Sequence, residues 1–216
     1  MIDPIDLAQL RSDYEAVGLT ETDLPPHPIE LWRRWLADAQ AAGIAEINAM
    51  VCATVDPDGR PGARTVLCKQ ADEDGFVFFT NYTSRKGRAL AAEPRVALLF
   101  AWHQVSRQVL VDGEATPVSR QESEAYFATR PRGAQLSAWA SEQSQPVADR
   151  AALESAVAEA TARYAGTDVP CPPHWGGYRV RPDTIEFWQG RNDRLHDRLR
   201  YLREAAGGWM VERLAP

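Results

Sequence analysis

The chain has 216 residues, a formal net charge of −6, 44% hydrophobic and 25% charged residues. That length suits one domain with or without appendages, and no apolar run approaches the roughly 20 residues that a membrane-spanning helix needs. Net acidity argues against a broad nucleic-acid-binding face but leaves room for a local cationic cluster that grips a small anion.

In chain order, the opening MIDPIDLAQLRSDYE lacks the basic-then-apolar pattern of a secretion signal, which predicts a cytoplasmic protein. Residues 1–28 read as an arm, with helix near Ala8 to Val17 ended by Gly18. IELWRRWLADAQAA (29–42) places Leu31, Trp35 and Ala39 at helical spacing. Strand patterns follow in AMVCATVD (49–56), ARTVLCKQAD (63–72) and FVFFTNY (76–82), joined by two Asp-Gly turns, as in an antiparallel meander. Ser84 is placed to cap a short helix, and RVALLFAWH (95–103) and RQVLVDGEATPV (107–118) resume the sheet. Ser119 and Glu122 form a capping box, RPRG (130–133) breaks that helix, and a second short one runs through Trp139. DRAALESAVAEATARYAG (149–166) reads as an amphipathic helix with Leu153, Val157, Ala160 and Tyr164 on one face. GGYRV (176–180), TIEFWQG (184–190), RLHDRLRY (194–201) and WMVERL (209–214) read as strands.

Seven or eight consecutive strands with five helices argue against a doubly wound parallel sheet. They predict a mainly β, antiparallel barrel-like fold with peripheral helices, formed by residues 29–216 as a single domain. Neither GxGxxG after a first strand nor GxxxxGK[ST] is present. Three cysteines at wide spacing, Cys52, Cys68 and Cys171, make neither a disulfide framework nor a structural zinc site, and Cys52 and Cys68 read as small buried hydrophobes. The four histidines are scattered, so no metal set emerges.

Cations are the distinctive feature. Of 24 basic residues only Lys69 and Lys86 are lysine. In RTVLCK, strand alternation sends Arg64, Val66 and Cys68 to one face and Thr65, Leu67 and Lys69 to the other; the cations either solvate the strand ends or face an anion. Arg85 and Lys86 fall in the first turn of a helix, against its dipole, where an anion in front would compensate them and water is the alternative. Tyr126 and Arg130 share one helix face, and Arg130 and Arg132 could instead hold helix-terminal carbonyls. In RLHDR, alternation puts Arg194, His196 and Arg198 together, a repulsive set without a compensating anion, and Trp188 stands just upstream as a flat packing surface. Cations, flat aromatics and one histidine, without a nucleophile or acid pair, suggest binding of phosphorylated ring compounds with a cofactor carrying the difficult step.

IEFWQGRNDRLHDR (185–198) resembles the C-terminal signature of the pyridoxine/pyridoxamine 5′-phosphate oxidases. The likeness extends through RSDYEAVGL (11–19), NAMVCATVD (48–56), RTVLCK, FFTNYTSRK, RQVLVDG, YFATRPRG, WASEQS (139–144), WGGYRV and ERLAP, in family order and spacing. The resemblance implies a homodimer of split β-barrels with FMN between the subunits, acting on a phosphorylated B6 vitamer and dioxygen, with no metal, nucleic acid or membrane partner. It implies oxidation of pyridoxamine or pyridoxine 5′-phosphate to pyridoxal 5′-phosphate with release of hydrogen peroxide. It assigns Arg64, Thr65, Val66, Leu67, Cys68 and Lys69 to an FMN-binding strand, and Phe79, Thr80, Arg85 and Lys86 to the surroundings of the FMN phosphate. Gln108, Gln143, Ser144, Trp188 and Arg198 complete the flavin contacts. Lys69, Tyr126 and Arg130 are implied to hold the substrate phosphate, the catalytic pair Arg194 and His196 to face the pyridine ring, and Arg11 and Tyr14 to belong to an arm that folds over the site. Ala134 stands where some members have a phosphate-binding serine, Phe79 where tyrosine is common, and Cys68 where an aliphatic residue is usual. Rival readings are a same-fold enzyme with another substrate or a deazaflavin-like cofactor, against which RLHDR argues; a non-catalytic flavin or pyridoxal-phosphate carrier; and an RNA-binding barrel, against which net acidity argues.

Overall fold

Along β1 (Ala49–Val55) and β5 (Arg95–Trp102) every second side chain is buried, the period of strands with one face on a core. The computed structural model describes residues 18–216. Arg11, Tyr14 and the helix expected near Ala8 to Val17 lie outside the described residues. The described residues divide into two compact units: one is residues 18–47 with Ala101–Leu110 and Thr184–Pro216, the other Asn48–Phe100 with Val111–Asp183.

The second unit holds β1, β2 (Pro61–Leu67), β3 (Gln70–Asp72), β4 (Gly75–Asn81) and most of β5, with parts of β6 (Arg107–Pro117) and β7 (Trp175–Gln189). β1 pairs antiparallel with β2 and β5, and β4 antiparallel with β3 and β7. Phe76, Phe78 and Phe100 are fully buried in it. α2 (Arg85–Ala92), α3 (Arg120–Ala128), α4 (Arg132–Ala140) and α5 (Arg150–Arg163) belong to the same unit, and Phe127, Leu136, Ala160, Val169 and Trp175 form a second apolar cluster there.

The strand expected over 63–72 is broken. Cys68 N–H still bonds Asn48 O at 2.8 Å, but Lys69 N–H bonds Val77 O at 2.7 Å, so the backbone changes partners between the two. Conversely, the strands expected at 176–180 and 184–190 are one strand, β7, because the proline between them fits extended backbone. α5 starts at its expected cap, Asp149, whose side chain accepts from Ala152 N–H. Its apolar face is not buried as expected: Leu153 and Val157 are 38% and 37% exposed, and the helix packs through Ala160 and Tyr164 at its C-terminal end.

In the first unit, α1 (Pro28–Ala41) begins with proline at its first position and buries Ile29, Leu31, Trp32, Trp35 and Ala39. Trp35 packs edge-on against Phe187 at 5.2 Å. β7 pairs antiparallel with β8 (Asp197–Arg203), and β8 with β9 (Trp209–Arg213). The strand expected from Arg194 begins only at Asp197. The register sets Gln189 opposite Asp197, so residues 190–196 make the reversal, and Asp193 and Arg194 turn with φ of 55° and 61°. The alternation expected to align Arg194 with His196 and Arg198 therefore does not exist. Among the described residues no helix is long and apolar enough to cross a membrane.

Candidate functional site

The second unit contains a cleft of about 580 Å³. β2 contributes Thr65, Val66 and Leu67, and Lys69 follows just beyond the strand; the end of β4 supplies Phe79, Thr80 and Asn81, and α2 supplies Lys86. Tyr126, Arg130 and Pro131 come from α3 and its end, Ser137, Ala138, Ser141 and Gln143 from α4 and its end, and Trp175 from the start of β7.

The junction of β4 and α2 is set locally. Asn81 Oδ1 accepts from both Thr83 N–H and Thr83 O–H at 2.7 Å, an Asx turn that ends the strand. Ser84, fully buried, caps α2 by accepting from Gly87 N–H at 3.2 Å. Glycine is required at 87, since a Cβ there would lie 2.1 Å from Tyr82 O. This packing brings the second helical residue, Lys86, beside Thr80. Lys86 Nζ donates to Thr80 Oγ1 at 3.0 Å and Gln143 Oε1 at 2.8 Å, and Thr80 Oγ1 donates to the same Gln143 oxygen at 3.2 Å. Burial, and secondarily the Arg64 charge, hold the Lys86 ammonium below the ordinary lysine range. An ammonium has three donors, so one is left for a ligand.

Arg64 and Arg85 do not line the cleft. Arg64 Nη1 donates to Cys52 O and Thr54 Oγ1, both at 2.8 Å. Arg85 donates through Nε and Nη2 to Asp56 Oδ2 at 2.8 and 2.6 Å. Of the two first-turn cations of α2, expected to face either an anion or water, Arg85 thus meets a carboxylate of the chain itself and Lys86 meets two neutral oxygens.

Elsewhere in the cleft the rings of Phe79 and Tyr126 stack at 4.0 Å and 19°, and Phe79 and Trp175 at 5.4 Å and 12°. The Arg130 guanidinium lies 4.7 Å over Trp175 and 5.5 Å from Phe127, and its Nη1 is buried with no hydrogen-bond partner. Burial lowers its pKa. A buried donor without an acceptor is costly, and an anion in the cleft relieves that cost.

Ten of the residues singled out from the sequence therefore meet in one cleft: Thr65, Val66, Leu67, Lys69, Phe79, Thr80, Lys86, Tyr126, Arg130 and Gln143. Cys68 is instead buried, its thiol bonded to Gln70 O at 3.3 Å and pushed up to about 12 by burial. Ser144 is exposed, with φ of 73°. Arg132 does hold helix-terminal carbonyls, but those of Tyr164 and Thr167 beyond α5, at 2.6 and 2.9 Å. Sequence reasoning missed Asn81, Pro131, Ser137, Ala138, Ser141 and Trp175. Ser137 and Ser141 stand at helical spacing, the only signal for them. Ala134 does not line the cleft; Ser137, a turn later, does, with its hydroxyl on Gly133 O at 2.9 Å.

The remaining candidates, Gln108, Trp188, Arg194, His196 and Arg198, belong to the first unit. Trp188 and Arg198 face each other across the β7–β8 ladder. Arg198 grips Glu186 through Nε at 2.7 Å and Nη2 at 3.0 Å, so the compensating anion for this cation is internal. The His196 ring lies 4.6 Å from Trp188, and its Nδ1 accepts from Arg191 N–H at 3.1 Å. Arg194 is exposed in the left-handed turn, and Gln108 is half-buried on β6.

A phosphate-type anion fits the donors that Lys86 and Arg130 leave open, and the flat rings suit a ring system, so a phosphorylated flavin is compatible with the residues present.

Two family profiles match the chain. One, described as pyridoxamine 5′-phosphate oxidase, covers residues 36–164; the other, described as the pyridoxine 5′-phosphate oxidase C-terminal dimerisation region, covers residues 175–216. The pyridoxine/pyridoxamine 5′-phosphate oxidase of Rubrobacter xylanophilus is 58% identical over 211 residues, covering 98% of this chain and 97% of that protein. The enzyme of the same name from Streptomyces avermitilis is 56% identical over 220 residues, covering 99% and 98%. Among solved structures, PhzG from Burkholderia lata 383, in complex with tetrahydrophenazine-1-carboxylic acid, superposes with a TM-score of 0.87 at 35% identity, covering 95% of this chain and all of that one. A pyridoxamine 5′-phosphate oxidase-related, FMN binding protein from Nostoc punctiforme shares the fold, with a TM-score of 0.69 at 20% identity over 89% of this chain and 99% of that one. The strand-dominated split-barrel class expected from the sequence is the class found.

Proposed function

We propose a function that starts from the family to which this chain belongs, the pyridoxine/pyridoxamine 5′-phosphate oxidases: FMN-dependent oxidation of pyridoxamine 5′-phosphate or pyridoxine 5′-phosphate to pyridoxal 5′-phosphate. Dioxygen takes up the two electrons and two protons as hydrogen peroxide, and with the amine a water enters and ammonia leaves. Bound FMN supplies the two-electron acceptor that neither substrate nor side chains provide. The observation that best supports this reading is the buried Nη1 of Arg130, a donor with no acceptor in a cleft floored by stacked rings.

In this reading Lys86, Thr80 and Gln143 hold the FMN phosphate, with the guanidinium groups of Arg64 and Arg85 beside them, and Thr65, Val66, Leu67 and Phe79 border the flavin. Gln108, Ser144, Trp188 and Arg198 complete its surroundings in a homodimer. Lys69, Tyr126 and Arg130 fix the substrate phosphate, which places the reacting carbon and turns a bimolecular encounter into a positioned one. Arg194 and His196 orient the pyridine ring. Because His196 Nδ1 accepts from Arg191 N–H, its Nε2 carries the hydrogen and is the donor it can offer to the substrate. Arg11 and Tyr14, in the arm of residues 1–28, cover the substrate.

The 0.87 TM-score to PhzG supports a second reading, in which Arg130 meets the carboxylate of a reduced tricyclic ring. Purified protein is expected to show a flavin visible spectrum and to form peroxide and aldehyde with a phosphorylated vitamer. Peroxide from a tetrahydrophenazine carboxylate and none from either vitamer would favour the second reading. Arg194→Ala is expected to lower turnover roughly hundredfold with FMN retained; unchanged turnover removes Arg194 from the mechanism.

A further inference from the structure

Asp56 lies just past β1, in the turn into β2, and main-chain bonds fix it there: its N–H donates to Arg60 O and its C=O accepts from Gly59 N–H, both at 2.8 Å. From that point Oδ2 accepts both Arg85 donors, Nε and Nη2. Arg85 is the first residue of α2, whose start Ser84 fixes. Both partners are thus anchored through their backbones, and the guanidinium between them is oriented.

Two features separate this pair from an ordinary surface salt bridge, which contributes little. First, the carboxylate is shielded while the cation is open: the Asp56 side chain is 15% exposed and that of Arg85 is 52%. The other carboxylate oxygen, Oδ1, is buried with no partner, an arrangement that costs free energy and calls for a reason. Second, Arg85 is not alone. A Cβ built on Gly62 would lie 2.8 Å from Arg64 Nη2 and 3.5 Å from Arg85 Cζ, so the two guanidinium groups converge over the bare face of that glycine. Arg64 uses only neutral acceptors there, Cys52 O and Thr54 Oγ1. Of the two cations only Arg85 bonds the carboxylate, so Arg64 brings a charge that no bonded carboxylate offsets, and both guanidinium groups are oriented.

We infer that Asp56 is a positioning residue for anion capture: it holds Arg85 by the Nε–Nη2 edge so that the rest of the guanidinium, beside Arg64, meets the phosphate of the flavin. The inference rests on the reading of the site given under Proposed function. Asp56 does not touch the ligand; it acts through Arg85. Its effect is therefore confined to ligands that carry the phosphate.

The test is titration of the flavin-free protein with FMN and with riboflavin, which has the same ring and no phosphate, followed by flavin fluorescence. Wild-type protein is expected to prefer FMN. Asp56→Asn is expected to raise the Kd for FMN about tenfold, as a charge-assisted grip becomes a neutral one, and to leave riboflavin within about twofold. In an Arg85→Ala background, Asp56→Asn is expected to add nothing. Should Asp56→Asn not fold, Arg85→Lys applies the same question: it keeps the charge, loses the two-donor grip, and is expected to weaken FMN selectively. An unchanged or tighter FMN Kd in either variant, equal loss of both ligands, or a full Asp56→Asn effect in the Arg85→Ala background overturns the role of Asp56. A wild-type protein with no preference for FMN over riboflavin removes the phosphate reading of the site itself, and this inference with it.

Discussion

The two cationic groups at and beside the cleft are built differently. Near α2, Lys86 bonds Thr80 and Gln143, Arg64 bonds Cys52 O and Thr54, and Arg85 bonds Asp56. Near the end of α3, Arg130 rests on aromatic faces and leaves Nη1 buried without an acceptor. The first group is organised before any ligand arrives, so an anion there exchanges existing bonds for stronger ones. The second carries an unmet hydrogen-bonding need that only an incoming group meets. Preorganisation suits a cofactor held through many turnovers, whereas an unmet need suits a substrate that must bind and leave.

This contrast is most exposed to test at Arg130. Arg130→Ala is expected to lower kcat/KM for the phosphorylated vitamer about hundredfold, in line with loss of a buried charged contact, while flavin content stays near wild type. Melting temperature should change little, because the lost stacking on Trp175 is offset by removal of a buried donor without a partner. Unphosphorylated pyridoxamine should be turned over equally poorly by both proteins; a parallel loss with it would detach Arg130 from the phosphate. The opposite pattern is expected at Lys86. Lys86→Met should weaken FMN about tenfold and change the vitamer KM far less. Burial holds the Lys86 ammonium below its ordinary value of 10.5, so it loses its proton at lower pH than a free lysine. FMN affinity should therefore decline on the alkaline side below that value, and Lys86→Met should abolish the decline, as read by titration at several pH values.

What was legible in the sequence follows the reach of each interaction. The Ser84 cap needs only a partner three residues on, and serine before a helical run announces it. The neighbourhood of Thr80 and Lys86 follows from a strand ending directly in a helix. Gln143 meets Lys86 across 57 residues, and Asp56 meets Arg85 across 29; no periodicity reports either, and family likeness alone pointed to Gln143. The pattern misled where one residue type fits two backbones. RLHDR alternates like a strand, yet the register of β7 with β8 forces Arg194 into a left-handed turn. Leu153 and Val157 have helical spacing, but spacing does not say what covers them.

The smallest effect is expected at the cap itself, and it probes why the α2 end is preorganised. Ser84 is fully buried and its hydroxyl takes the Gly87 N–H, so Ser84→Ala leaves one helix-terminal donor without its acceptor. Loss of such a cap costs about 1 kcal/mol, which in a protein of this size lowers the melting temperature by about 2–4 °C. Arg85 and Lys86 keep their charges in this variant but lose the fixed origin from which they reach. If preorganisation is what the α2 end contributes, FMN affinity falls by a few-fold at most, less than for Lys86→Met, while the vitamer KM stays put because Arg130 belongs to α3's end. A melting temperature that drops with no change in FMN affinity would show that the cations find the phosphate without the helix start being held, and the contrast between the two ends would then rest on charge alone.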